Sequence, residues 1–143
     1  FAALQAHLPF PIATHQPELS VWRHGPLRDG VLDQCLERQV TPLAWSPFGG
    51  GVLGLTQEEA LNQPQGDRLA ALLGRLDAVA ESQGLTRSAV ALAWTMLHPS
   101  GVIPILGTQR LERLRECMGA LEVRMTRSDW NQILEAAQGE RLP

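Results

Sequence analysis

Three short segments of this 143-residue chain carry residue types that could hold a ligand. Each lies where a predicted strand ends, and the carboxyl ends of parallel strands form the ligand-binding edge of α/β proteins. The first segment contains Gln16, whose amide group donates and accepts hydrogen bonds and can therefore pair with a carboxamide. The second begins with Trp45, whose flat face could stack on a planar ring. These strand ends mark the candidate site.

The segment that begins at Trp45 continues through Ser46, Pro47 and Phe48 into a run of glycines that starts at Gly49. A proline followed by several glycines predicts a loop with many backbone donors. Such a loop could hold a diphosphate, or it could simply connect two elements.

The third segment is Gly107-Thr108-Gln109, which follows an apolar strand and opens a predicted helix. A glycine at such a turn lets the backbone approach a ligand, and the amide groups of the first helical turn attract an anion. Arg113 lies one turn further on, where its guanidinium can bind a phosphate through two parallel hydrogen bonds. The segment therefore predicts an anion site.

Taken singly, each of these features also fits an ordinary structural role. Trp45 could be a core or rim aromatic, and Gln16 could be a polar strand end. The third segment could be a plain strand–helix turn followed by a solvated arginine.

The composition excludes several classes of function. All twelve cations are arginine, and the chain has no Lys and no Tyr, which excludes a Schiff-base lysine, a P-loop lysine and a phenol proton donor. The net charge is −3 and the arginines alternate with carboxylates, so no basic face for nucleic acid is expected. Cys35 and Cys117 have no partners at zinc spacing. No apolar run reaches the ~18 residues of a membrane span, and two lone thiols without a signal peptide favour a cytoplasmic protein.

The order of the predicted elements is that of an α/β protein with a parallel sheet. The elements are a helix end at 1–7, strands at 12–16, 40–45 and 102–106, and helices at 31–38, 67–83, 87–98, 107–119 and 127–138. Residues 51–67 show no readable pattern. We expect Thr86 and Thr126 to cap helices, and Gly84 and Gly139 to end them.

Apolar spacing predicts which side chains face the core. The inward set is Leu32, Cys35, Leu36, Leu69, Leu72, Leu73, Leu76, Val79, Ala80, Leu111, Leu114, Met118, Trp130, Ile133, Leu134 and Ala137. The nearly all-apolar strand at 102–106 predicts a parallel strand covered on both faces.

Three parallel strands would leave two unpaired edges, which is an unstable arrangement by itself. The sequence therefore predicts part of a larger fold. The exposed edges could also pair with a second copy of the chain.

Together the three segments resemble the C-terminal half of the aldo-keto reductases, from Ile12 to about the end of the chain. The family's strand ends appear here as His15-Gln16-Pro17-Glu18, as Trp45-Ser46-Pro47-Phe48-Gly49, and as Pro104-Ile105-Leu106-Gly107-Thr108 followed by Arg113 and Glu116. Two residues depart from the family pattern, because His15 and Cys117 stand where asparagine is usual.

The resemblance implies the C-terminal portion of a TIM-type (β/α)8 barrel, with residues 1–143 forming one domain that lacks the N-terminal half. It also implies NADP(H) as the cofactor and a small carbonyl compound as the substrate of the intact enzyme. Gln16 would then hold the nicotinamide carboxamide and Trp45 would stack on the nicotinamide ring. The diphosphate would be contacted by Ser46, Pro47, Phe48 and Gly49. The 2′-phosphate would be held by Gly107, Thr108, Gln109 and Arg113, and the adenine by Glu116.

The family's catalytic Asp, Tyr, Lys and His belong to the first half of the barrel. This chain has no Tyr or Lys, and its four histidines match no catalytic context, so we expect them to be structural or exposed. The chain alone is therefore expected to bind part of the cofactor and to be inactive. The alternatives are a non-catalytic half-barrel that serves in binding or assembly, and an unrelated α/β module.

Overall fold

The computed structural model describes residues 1–142 and contains helices and strands in the predicted order. The helices are α1 (Ala2–Gln5), α2 (Val31–Arg38), α3 (Gln57–Leu61), α4 (Gly66–Gln83), α5 (Arg87–Met96), α6 (Leu111–Met118) and α7 (Arg127–Gln138). The strands are β1 (Thr14–His15), β2 (Thr41–Ala44) and β3 (Ile103–Pro104). Short 3-10 helical stretches lie at Gly25–Leu27, Gly49–Gly54 and Gly119–Leu121.

The three strands form one parallel sheet in the order β1-β2-β3, which confirms the α/β class. Thr14 lies opposite Thr41 and Leu43 lies opposite Ile103. The strands are shorter than predicted, although backbone hydrogen bonds between neighbouring chains continue beyond them, from the Trp45 amide to the Pro17 carbonyl and from the Ile105 amide to the Ala44 carbonyl.

Only one face of the sheet is packed by the helices of residues 1–142. The buried face contributes Ala44 and Val102 to a cluster with Leu19 and Leu32. Side chains alternate between the faces of a strand, so the neighbouring residues point the other way. Ile103 on that other face is 53% exposed. The prediction that strand 102–106 is covered on both faces is therefore wrong for these residues.

The main core lies between the helices, where α4 packs against α3, α5 and α7. The predicted inward residues of α4 are all buried: Leu69, Leu72, Leu73, Leu76, Val79 and Ala80. Ile133, Leu134 and Ala137 of α7 are also buried. The apolar spacing thus predicted this layer correctly.

The predicted helix ends are confirmed in the same layer. The hydroxyl of Thr86 accepts the Ala89 amide, and Thr126 forms a capping box with Asp129. Gly84 and Gly139 end α4 and α7 in the left-handed conformation. Helix α3 was missed, although Thr56-x-x-Glu59 forms the same kind of capping box and could have revealed it.

Three predicted core residues are exposed: Leu36 by 51%, Leu111 by 53% and Met118 by 61%. Helix α6 begins at Leu111 and not at residue 107, and Cys117 is its one buried residue. These apolar positions have no element of residues 1–142 to pack against. The prediction that these side chains face the core was wrong, because a side chain is buried only where another element packs against it.

Two absences hold for residues 1–142. None of their helices has the length and apolar character required to cross a membrane. Their His, Cys, Asp and Glu side chains form no group of three or more that could hold a metal ion.

Candidate functional site

Gln16 and Trp45 lie at the carboxyl ends of adjacent strands. The Trp45 amide donates to the Pro17 carbonyl at 3.1 Å, and the Leu19 amide donates to the Trp45 carbonyl at 3.3 Å. Pro17 and Ala44 are buried, so by strand alternation Gln16 and Trp45 belong to the opposite, open face. Trp45 is 45% exposed there. The structure therefore brings a carboxamide group and a flat aromatic ring to one edge of the sheet.

The turn after Trp45 is closed by hydrogen bonds between its own residues. The Ser46 carbonyl accepts the Gly49 amide at 2.8 Å, the Ser46 Oγ accepts the Gly50 amide at 2.8 Å, and the Phe48 carbonyl accepts the Gly51 amide at 3.0 Å. These glycine amides are therefore occupied, and the expected donor-rich loop is instead a closed turn. Because Ser46 Oγ acts as an acceptor here, its own O–H remains able to donate to a ligand.

Ser46 has a left-handed backbone, with φ of 53°. This conformation costs about 1–2 kcal/mol for a residue with a Cβ and persists only where the surroundings impose it. The hydrogen bonds of the turn supply that constraint. No feature of the residue pattern indicated this conformation.

Gly49 lets the turn pack closely against the core. Its φ is 60°, and a Cβ added there would lie 3.1 Å from Trp22 Cβ and 3.2 Å from Val52 Cγ2. Glycine therefore avoids both backbone strain and crowding at this position. Pro47, beside it, is buried. The turn is held close to the helical layer while Trp45 stays exposed.

The third segment begins beside the second. The Ile105 amide donates to the Ala44 carbonyl at 2.8 Å, so the chain that leads to Gly107 leaves the sheet next to Trp45. The Arg110 amide donates to Thr108 Oγ1 at 3.2 Å and closes the turn before α6.

The first turn of α6 has no side-chain cap, within the part of the chain that the structure describes. Helices α3, α5 and α7 each have a threonine cap, while among residues 1–142 α1, α2 and α4 start without one, as α6 does. Uncapped amides at a helix start, together with the helix dipole, favour an anion. Gln109, Arg113 and Glu116 are exposed on this segment. The predicted anion site thus keeps its donors free.

Cys117 faces away from the candidate site. It is buried in a cluster with Leu92, Ala93 and Ala120, and burial together with the charge of Glu116 raises the pKa of its thiol. The thiol therefore packs as a small apolar group. It takes no part in binding on the exposed side of α6.

The histidines make local contacts. His7 Nδ1 lies 2.8 Å from the Ala3 carbonyl, His24 Nδ1 lies 2.9 Å from the Val21 carbonyl, and His98 Nδ1 lies 2.8 Å from Ser100 Oγ. The ring of His15 lies 5.4 Å from that of Phe1. Burial lowers the pKa of His24 and of His98. These contacts support the structural role expected for the histidines.

A cleft of about 620 Å³ lies near β1, lined in part by His15, Pro17, Trp22 and Arg68. The guanidinium carbon of Arg68 lies 4.1 Å from the centre of the Trp22 ring, a cation–π contact. Burial and the positive charge of Arg23 lower the pKa of Arg68.

No candidate site residue named from the sequence lines this cleft. Trp45 lies on the open face of the sheet, whereas Pro47 and Gly49 are buried and Phe48 packs against the helical core.

The three parallel strands and their helices form part of an α/β barrel, with the candidate binding residues at the strand ends. The model of the aldo/keto reductase family matches residues 2–138. The chain belongs to this family, as the sequence motifs indicated.

Known proteins are similar to this chain in sequence and in fold. The chain is 45% identical to a 6-dehydroglucose reductase of Novosphingobium aromaticivorans over 142 residues, covering 99% of this chain and 44% of that protein. It is 25% identical to the aldo-keto reductase yakc [NADP(+)] of Schizosaccharomyces pombe, covering 94% and 41%. The crystal structure of the thermostable aldo-keto reductase Tm1743 with the inhibitor epalrestat superposes with a TM-score of 0.74 at 24% identity, covering 94% and 43%. The chain thus spans less than half the length of these relatives.

Proposed function

We propose that this chain forms the cofactor-binding part of an NADP(H)-dependent aldo-keto reductase that reduces aldehydes or ketones to alcohols. One observation carries the proposal. An exposed Trp45 ring follows one strand end, and the uncapped start of α6 follows the neighbouring strand end. A planar ring and an anion are the two parts that a nicotinamide dinucleotide phosphate presents.

The residues fit the parts of this cofactor. Gln16 pairs with the carboxamide while Trp45 stacks on the nicotinamide ring. The free O–H of Ser46 faces the diphosphate, in a turn shaped by Pro47, Phe48 and Gly49. NADPH, when bound, supplies a hydride to the carbonyl carbon.

The 2′-phosphate and the adenine belong to the segment after β3. Gly107, Thr108 and Gln109 bring the backbone close, and Arg113 adds a charge-assisted pair of hydrogen bonds. Glu116 lies one turn beyond Arg113 on the same helix face, where it accepts a hydrogen bond from the adenine amino group.

The chain itself supplies no proton donor of the family's type, since it has neither Tyr nor Lys. We therefore expect no carbonyl-dependent oxidation of NADPH from these 143 residues alone. In a protein that also supplies those residues, 6-dehydroglucose is the first carbonyl compound to assay, because the relative at 45% identity is named for it. Two free, buried cysteines suit a cytoplasmic location.

The open face of the sheet favours one alternative. Trp45, Ile103 and Ile105 are exposed there beside unpaired edges of β1 and β3, and such a surface could serve a non-catalytic assembly module. Self-association of the purified chain without NADPH binding would support that alternative.

A titration of the chain with NADPH and with NADH, followed by cofactor fluorescence, tests the proposal. Replacing Arg113 with alanine should weaken NADPH binding about tenfold and leave NADH binding nearly unchanged, because only NADPH carries the 2′-phosphate.

Arg115 provides a matched control for this titration. It lies on the same helix, is exposed, and its replacement with alanine makes the same change in charge. An equal loss of NADPH affinity in the two variants, or an equal loss of NADPH and NADH affinity in Arg113→Ala, would refute the role of Arg113.

A further inference from the structure

Arg87, at the start of α5, makes several hydrogen bonds to two separate parts of the chain. Its Nε and Nη2 donate to the two carboxylate oxygens of Asp77 on α4, both at 2.6 Å. Its Nη1 donates to the backbone carbonyls of Leu53 at 3.2 Å and Leu55 at 2.6 Å. One guanidinium thus joins two helices to the segment that ends at Leu55.

That segment is the 3-10 stretch Gly49–Gly54, which follows directly from the turn at Trp45. Its last carbonyls have no partner within the stretch itself, as at any helix end. Three successive glycines, Gly49, Gly50 and Gly51, give it a positive-φ backbone with high intrinsic freedom. A fixed position for such a segment requires contacts at both of its ends.

The two ends are held differently. At the amino end, Ser46 Oγ accepts the Gly50 amide and Gly49 packs on Trp22. At the carboxyl end, the Arg87 guanidinium takes up the Leu53 and Leu55 carbonyls. Asp77 fixes the plane of that guanidinium through the paired contact, which an arginine can make and a lysine cannot.

We propose that Arg87 is a positioning residue for the cofactor-binding turn, holding the Gly49–Gly54 segment in the conformation that Ser46 and Gly49 need. This inference rests on the proposed function. Arg87 acts through the backbone and not on the cofactor, because the carboxylate of Asp77 already neutralises its charge.

Amide hydrogen exchange of the 143-residue chain without cofactor tests this role directly. The reporters are the amides of Gly50, Gly51 and Leu55, which are hydrogen-bonded to Ser46 Oγ, the Phe48 carbonyl and the Val52 carbonyl, in that order. In Arg87→Gln these amides should exchange about tenfold faster, while amides in the middle of α4 and α7 keep their rates.

Three further variants separate positioning from general stability. Arg75→Gln removes another arginine–aspartate pair of α4, Arg75 with Asp129 at 3.2 Å, which does not touch the segment. Asp77→Asn leaves the carbonyl contacts available to Arg87 but breaks the paired contact that orients its guanidinium. Arg75→Gln should leave the exchange of the segment within about twofold of the wild type, and Asp77→Asn should fall between the wild type and Arg87→Gln. Arg87→Lys keeps the charge and should fall between wild type and Arg87→Gln, and it carries the test if Arg87→Gln does not fold.

Cofactor affinity provides a second test of the role of Arg87. Arg87→Gln should weaken both NADPH and NADH about equally, by roughly tenfold, because the turn serves the diphosphate that they share. Segment exchange that is unchanged in Arg87→Gln and Arg87→Lys would overturn the positioning role, whether or not NADPH binds. So would wild-type affinity in Arg87→Gln when the wild type binds NADPH. A wild-type chain that binds neither nucleotide refutes the proposed function instead, and the exchange rates still decide whether Arg87 holds the segment.

Discussion

Two tryptophans show how differently the two sides of this molecule use the same residue. Trp94, in the helical layer, is 1% exposed and stacks on Trp130 with ring centres 4.8 Å apart. The indole N–H of each donates to the backbone carbonyl of the other, at 3.0 Å and 3.1 Å. Trp45, on the open face of the sheet, is 45% exposed. Burial with satisfied polar groups stabilises the fold, whereas an exposed ring is available to a ligand.

The helix starts also differ, but not along the same division. Thr56, Thr86 and Thr126 cap α3, α5 and α7, whereas α1, α2, α4 and α6 start without a side-chain cap among the described residues. Of these uncapped starts, that of α6 follows the strand end beside Trp45, where its amide groups can attract an anion.

The largest effect is expected from Trp94→Ala. It removes a fully buried ring, its stacking contact with Trp130 and the hydrogen bond that its indole N–H donates, so the free energy of unfolding should fall by about 3–5 kcal/mol. Urea unfolding followed by circular dichroism measures this. Ile103→Ala, at an exposed apolar position, is the control and should cost less than about 1 kcal/mol. Similar losses in the two variants would contradict the division into a packed layer and an open face.

Trp45→Ala should have the opposite profile. The ring contributes little to the core, so the free energy of unfolding should stay within about 1 kcal/mol of the wild type. NADPH affinity should fall about fivefold or more, as for the loss of one stacking contact. Ile105→Ala removes apolar surface on the same face without a ring and should bind NADPH as the wild type does. If Ile105→Ala loses as much affinity as Trp45→Ala, the ring does not stack on the nicotinamide.

The smallest effect concerns pH. The hydroxyl of Thr126 donates to Asp129 at 2.7 Å, and with the Thr126 amide and nearby Arg75 it holds the pKa of that carboxyl below its ordinary value. The folded protein therefore binds the proton less well than the unfolded chain does. The resulting stability is present above the unfolded pKa and is lost as pH falls through the lower folded pKa.

Asp129→Asn should accordingly lower the free energy of unfolding at neutral pH by roughly 0.5–1 kcal/mol and flatten its fall between pH 5 and 2 by about the same amount. Thermal unfolding across that range measures the difference. Glu81→Gln, at an exposed position on α4, serves as the control and should follow the wild-type curve. A wild-type acid profile in Asp129→Asn would show that this carboxylate does not contribute.

The helical layer could be predicted closely from the sequence, because its signals are local. The apolar stripe from Leu69 to Ala80, the capping residues Thr86 and Thr126, and the stop at Gly84 all act within one or two helical turns. The parallel pairing of the strands followed from the alternation of strands and helices. Helix α3 was missed only because its capping box stands in a stretch without apolar periodicity.

The position of the candidate site could be predicted from the sequence, but its geometry could not. The sequence indicated the strand ends, and the family match over residues 2–138 agrees with the motifs that they carry. It did not indicate that Ser46 would adopt a left-handed backbone, or that its Oγ would occupy the Gly50 amide. Nor did it indicate Arg87, whose partners are 10, 32 and 34 residues away along the chain.

The sequence by itself thus determined the order of elements, the helical core, the family and the absence of a Tyr or Lys proton donor from these residues. The tertiary structure alone decided that Leu36, Leu111 and Met118 are exposed, that the glycine amides after Ser46 are occupied, and what holds the Gly49–Gly54 segment. The physical reason is the range of the interactions. Propensity, capping and periodicity act between near neighbours, whereas burial and the pairing of backbone groups depend on elements that meet only when the chain has folded.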